Sequence, residues 1–142
     1  MKRALIVAAL VAASIIPSTS AHAQEAPCAK IRWKQPYYTS HDVRPVKRLI
    51  RCAVRRWPVP GGVSKALSVA RCESSFRPDA VSPAPTNLGV YQHRATYWPA
   101  RADRWLRPRW EISHRWNNAR ANVIVSVRIA HVGGSWASWA CA

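Results

Sequence analysis

Four cysteines, Cys28, Cys52, Cys72 and Cys141, stand downstream of a leader that reads as an export signal, and this combination constrains the fold of the 142-residue chain more than any other feature. Lys2 and Arg3 give the positive start, Ala4 to Ile16 the apolar run, and Pro17 to Ser20 the break. Ala21-His22-Ala23 then supplies the small-x-small pattern of signal-peptidase cleavage. The mature chain is expected to begin at Gln24 and to be secreted, in the extracellular space, the cell wall or a periplasm. Because Gln24 is not cysteine, no lipoprotein-type anchor is expected. In an oxidising compartment an even set of cysteines reads as two disulfides, although spacing alone does not choose the pairing. Zinc is a poor fit: the sequence has no C-x-x-C, and His41, His93, His114 and His131 show no ligand-like spacing to a cysteine. Neither metal nor cofactor is expected.

At this length one domain is the expectation. The chain divides into the leader (1–23), an N-terminal arm (24–42) that reads as extended and carries Trp33, Tyr37 and Tyr38, and a domain over 43–142. Apolar residues then recur at helical spacing. Val46, Leu49, Ile50, Ala53 and Trp57 share one face, Arg44, Lys47, Arg48, Arg51 and Arg55 the other. Pro45 suits the first turn and Pro58 stops this helix at Trp57. Gly61-Gly62 opens a second helix over Val63 to Ser74, with Val63, Leu67 and Ala70 inward. Phe76 to Leu88 reads as a long ordered loop. A third helical stretch, Arg94 to Leu106, is expected to be interrupted by Pro99. Asn117 or Asn118 caps a fourth helix, Ala119 to Val132, closed by Gly133-Gly134 and apolar nearly all round, as a central helix would be. The predicted class is all-α, a small disulfide-stapled domain.

The formal net charge is +16, of which Lys2 and Arg3 leave with the leader. Hydrophobic residues at 49% and eight tryptophans supply a packed core and exclude a disordered basic tail. Outside the leader nothing approaches the ~18 consecutive apolar residues of a spanning helix, so no stable membrane insertion is expected after cleavage. Arginine with interleaved tryptophan suits anionic polymers generally. Trp57, Trp136 and Trp139 read as core residues. Trp98, Trp105 and Trp110 stand among arginines and read as exposed rings able to stack on a ligand.

Carboxylates are scarce, and only Glu73 sits in a patterned setting. The run Cys72-Glu73-Ser74-Ser75-Phe76-Arg77-Pro78-Asp79-Ala80-Val81-Ser82, followed by Gly89-Val90-Tyr91-Gln92, resembles the E-S-x-F-x-P-x-A-x-S … G-x-x-Q signature of the lysozyme-like, soluble lytic transglycosylase superfamily. Cys72 before the glutamate, and the ending Gly134-Ser135-Trp136-Ala137-Ser138-Trp139-Ala140-Cys141, resemble the resuscitation-promoting-factor branch. The similarity spans Val46 to Cys141. It implies a lysozyme-like fold and cleavage of the MurNAc–GlcNAc β-1,4 bond of peptidoglycan, with Glu73 as general acid and base. It also implies supporting roles for Ser74 and Gln92, with Tyr91 beside Gln92 lining the cleft, and a Cys72–Cys141 pair that leaves Cys28 with Cys52. The A-Y-N-x-G motif of many soluble lytic transglycosylases is absent, so its tyrosine has no counterpart here.

Several readings of these residues compete. Glu73 could merely pair with Arg77 one turn on. Asp79, set between turn residues, reads as a loop cap rather than a second catalytic carboxylate. The product, anhydro or hydrolysed, stays open. The expected partners are glycan strands and anionic wall polymers, met by a monomer; nucleic acid is not expected. The alternatives are a non-catalytic cationic protein that binds walls or disrupts membranes, and a secreted nucleic-acid binder.

Overall fold

The computed structural model describes residues 24–33 and 43–142; the leader and, within the arm, Tyr37, Tyr38, His41 and Asp42 lie outside the described residues. Helix α1 (Arg44–Arg56) has Pro45 in its first turn, where the missing N–H costs no helical bond. It buries Val46, Leu49, Ile50, Ala53 and Val54, and exposes Arg48, Arg51 and Arg55 on the opposite side. Helix α2 (Gly62–Ser74) follows after Gly61, at φ 73°. Its innermost residues are Ala66, Val69 and Ala70, whereas Val63 and Leu67 pack only at the edge of the core. The inward stripe is therefore rotated from the expected one, towards alanines small enough to admit the Tyr91 ring, whose hydroxyl donates to the Ala66 carbonyl at 2.9 Å.

The segment expected as a plain loop contains a small antiparallel hairpin, β1 (Asn87–Leu88) with β2 (His93–Arg94), and an isolated bridge from Val81 to Leu88. At its tip Gly89 has φ 77°, and a Cβ there would lie 2.3 Å from Nδ2 of Asn122. Only glycine meets both the left-handed backbone and the close approach. Past the hairpin a 3₁₀ turn (Ala95–Tyr97) leads into α3 (Trp98–Trp105). Pro99 lies in the first turn of α3 and does not interrupt it, again because a first-turn residue needs no N–H partner.

Helix α4 (Ala119–Gly133) is the central element. Asn118 caps it by accepting the Ala121 N–H at 3.1 Å, and Gly134 closes it at φ 62°. It packs on α1 on one side and α3 on the other, which accounts for its apolar composition all round. Its two buried polar residues are partnered. Ser126 donates to the Asn122 carbonyl, and Asn122 holds the hairpin loop through Tyr91 N–H (2.9 Å) and the Leu88 carbonyl (3.3 Å).

Two disulfides, Cys28–Cys52 and Cys72–Cys141, staple this helix-rich domain, and its only sheet among the described residues is the hairpin. Cys28 fastens the arm to α1, and Arg120 on α4 donates to the carbonyls of Ala29 (3.2 Å) and Ile31 (2.8 Å). The described part of the arm is a pair of successive turns rather than extended chain, since Ala29 and Ile31 bond back to Ala26 and Cys28.

The tryptophans among arginines are not exposed. Trp98 and Trp110 are each only 5% accessible and, with half-buried Trp105, belong to a second core between α3 and α4. The guanidinium of Arg128 lies 5.4, 5.1 and 5.6 Å from the ring centres of Trp57, Trp105 and Trp110. Arginines here form the polar lid of a tryptophan layer, an amphipathic role that their position in sequence does not distinguish from exposure. Trp136 and Trp139 are core residues as expected, at 3% and 6%; Trp57 is half-buried between the two clusters. Among the described residues no helix is long and apolar enough to cross a membrane.

Candidate active site

Glu73 lies in the last turn of α2, which ends through the left-handed pair Ser75 (φ 53°) and Phe76 (φ 66°). The N–H of Ser75 bonds to the Arg71 carbonyl and that of Phe76 to the Ala70 carbonyl, a left-handed closure that satisfies the last helical carbonyls and turns the chain off the helix axis. Phe76 then buries at once beneath the ammonium of Lys47. Ser74 reinforces the turn. Its hydroxyl donates to the Val90 carbonyl (2.7 Å) and accepts the Arg77 N–H (3.1 Å), so it ties the helix end to the hairpin loop.

The Glu73 side chain faces a pocket of about 280 Å³, near the small end of the ~300–1,000 Å³ range of ligand clefts. Asn87, Gln92 and Arg94 come from the hairpin, Tyr97 and Arg101 from the segment beyond it, and Trp139 from the C-terminal stretch. Gln92, at φ 47°, uses its amide nitrogen on the carbonyls of Ala80 (3.1 Å) and Gly89 (2.9 Å). Two acceptors fix the amide orientation, and the amide oxygen is then the side-chain atom left for a ligand.

The carboxylate of Glu73 accepts one backbone bond, from the Cys141 N–H at 3.1 Å. Partial burial holds its pKa above the usual carboxylate range, opposed by the backbone N–H groups of Cys141 and Ala140. Arg77 does not pair with it; its Nε lies 3.6 Å from Asp79, on the surface and away from the pocket. Asp79 is thus a turn residue with a surface partner. Of the described carboxylates, Glu73 alone lines the pocket.

The structure therefore brings Glu73 and Gln92 together and leaves Ser74 and Tyr91 behind them. Tyr91 does not line the cleft. It is fully buried, stacked on Trp136 at 5.6 Å, and burial drives its phenol pKa upward. The ring points into the core because its backbone N–H is captured by Asn122, opposite the direction in which Gln92 faces. Tyr91→Phe removes only the bond to the Ala66 carbonyl, so it should lower unfolding stability by about 1 kcal/mol in denaturant titration. Turnover should stay within twofold of wild type. A selective loss of activity at unchanged stability would contradict this placement.

Sequence reasoning missed His93, Tyr97 and Arg101. Arg101 donates to Nδ1 of His93 (2.8 Å), and Nε2 of His93 meets Oγ of Ser126 (2.7 Å). A guanidinium can only donate, so Nδ1 is the bare nitrogen and Nε2 carries the hydrogen. Burial, and next the charge of Arg101, push the His93 pKa down to about 3. Folded His93 is neutral where the unfolded chain protonates below its ordinary value near 6.5. Unfolding then takes up a proton, and stability falls as pH drops from about 6.5 towards about 3. The expected slope from this group approaches 1.4 kcal/mol per pH unit, read from denaturant midpoints across pH, and His93→Gln should flatten it. An unchanged slope in that variant would refute the buried neutral assignment. The only signal for these residues was their nearness in sequence to Gln92.

Among the described residues no cluster of His, Cys, Asp or Glu has the makings of a metal site. What the fold and the site define is a small, two-disulfide helical domain whose one pocket carboxylate is set at a helix end with a raised pKa. No protein family, curated protein or solved structure matches the chain.

Proposed function

We propose that this chain is a lysozyme-like, peptidoglycan-cleaving enzyme that acts on the MurNAc–GlcNAc β-1,4 bond with Glu73 as its general acid and base. The observation that carries this reading is the half-buried Glu73 carboxyl, raised in pKa and facing a pocket that the oriented amide of Gln92 also lines. A glycosidic oxygen needs a proton as its bond to C1 breaks, and only an acid still protonated near working pH supplies it. The motif around Glu73, which resembles that of the soluble lytic transglycosylases, points to the same chemistry.

With one pocket carboxylate, the route that fits is intramolecular. Glu73 gives its proton to the leaving O4 as the C1–O4 bond breaks, and the C6 hydroxyl of the same muramic residue closes on C1. Its proton passes to the Glu73 carboxylate, which restores the acid. No water is consumed and the product is a 1,6-anhydro end. The pocket arginines Arg94 and Arg101, on a chain of net charge +16, favour an anionic substrate such as a wall glycan with its peptide carboxylates. The experiment is release of soluble muropeptides from purified wall by the secreted protein. Release supports the enzyme; binding without release supports the non-catalytic wall-binding alternative.

A further inference from the structure

A groove of about 500 Å³ lies directly beside the Glu73 pocket, and Tyr97 and Arg101 line both. Its walls come from α3, which contributes Ala100, Arg101, Arg104 and Trp105, and from the end of α4, which contributes Ile129 and Val132. Three large hydrophobic side chains are markedly exposed among the described residues, and two of them, Tyr97 at 53% and Val132 at 64%, flank this groove. Tyr97 and Val132 thus give the groove an apolar rim beside its arginines.

The charges in the groove are ordered. Arg101 is held through His93, and its guanidinium stands 5.5 Å from the Tyr97 ring centre. Arg94 stands on the same ring at 5.9 Å, and Arg104 on Trp105 at 5.1 Å. Arg101 and Arg104 lie three residues apart on α3 and so share a face. Among the described residues the ion pairs are those of Asp79 and Asp103, so no carboxylate of the described chain meets either arginine.

Resting on the proposed activity, we infer that this groove holds the peptide stem of the wall, a short chain that combines alanyl methyls with free carboxylates, while its sugar occupies the Glu73 pocket. The stem branches from the muramic residue whose bond is cut, so a chain leaving that pocket over Tyr97 enters the groove without a gap. Alanyl methyls meet the apolar floor of Ala100, Ile129 and Val132. The stem carboxylates meet Arg101 and Arg104, aligned by His93 and Trp105. Charge complementarity and continuity with the pocket select this occupant over a second copy of so basic a chain.

The test compares binding of a tetrasaccharide bearing its peptide stems with the same saccharide stripped by an amidase. Both are titrated by tryptophan fluorescence against the Glu73→Gln variant, which removes turnover. The peptide-bearing form should bind about tenfold more tightly. That ratio should fall to near one in Arg104→Ala, an exposed helix position, and also when the stem carboxylates are amidated. Equal affinities, or a preference that survives both changes, would overturn the inference. The proposed activity is judged separately: wild type that keeps the preference yet releases nothing from wall leaves the groove assigned and the enzyme refuted. Failure of both saccharides to bind refutes both.

Discussion

Glu73→Gln should lower the release of soluble wall fragments at least a hundredfold, the smaller end of what a positioned general acid contributes (~10²–10⁴). The amide keeps the shape of the acid and an oxygen to accept the Cys141 N–H, so what is removed is the transferable proton and the charge its loss leaves. Wall binding and the helical circular dichroism should be unchanged. Stability should rise at neutral pH. A carboxyl whose folded pKa is raised favours the folded state below its unfolded value, and that contribution is lost as pH rises through the folded pKa. The amide has no charge to bury, so the advantage of the variant should shrink on acidification. Loss of activity with raised stability is the signature of a residue kept for chemistry. Activity within tenfold of wild type would remove Glu73 from the mechanism.

The second large effect is expected at the Cys72–Cys141 bridge. Its sequence separation is 69 against 24 for Cys28–Cys52, which by loop-closure entropy is worth about 4 against roughly 3.5 kcal/mol. The two bridges thus differ little in stability, and their effects on catalysis separate them. Cys72 adjoins Glu73, while Cys141 supplies the N–H that the carboxylate accepts. Two residues earlier, Trp139 donates to the Tyr91 carbonyl at 2.8 Å and lines the pocket. Replacing Cys72 and Cys141 by serine frees this terminal segment, so the variant should lose about 4 kcal/mol in denaturant titration. Most activity should go even at temperatures where it stays folded. The Cys28–Cys52 double variant should lose comparable stability and keep most of its turnover, because that bridge joins the arm to α1, away from the pocket. Equal loss of activity in both would assign the bridges a purely global role.

How much of this was legible in the sequence follows from the range of each signal. Helix α1 was readable from its 3.6-residue apolar period with Pro45 in the first turn, and α4, apolar nearly all round, from its asparagine cap, its closing glycines and its length. Glu73 and Gln92 were readable because a motif carries them at fixed spacing. The hairpin was not, since strands of two residues show no alternation. Tyr97 and Arg101 became site residues only through the 3₁₀ turn that swings α3 beside the pocket, a placement no local pattern encodes. Tyr91 was assigned to the cleft by adjacency to Gln92, but the left-handed φ at Gln92 and the grip of Asn122 on the Tyr91 N–H send neighbouring side chains opposite ways. The burial of Trp98 and Trp110 was hidden for a related reason. Arginine flanks read as exposure until Arg128, far along the chain, is seen to cover the Trp110 indole, and Trp98 to pack against buried His93.

Cleavage of the glycan by one pocket carboxylate, without water, is checked by mass spectrometry of the fragments released from purified peptidoglycan in water enriched in oxygen-18. The expected products are muropeptides ending in 1,6-anhydro-muramic acid, one water lighter than hydrolysed ends and free of the heavy label, with none released by Glu73→Gln. Reducing muramic ends carrying oxygen-18, or no soluble fragments from wild-type protein, would contradict it.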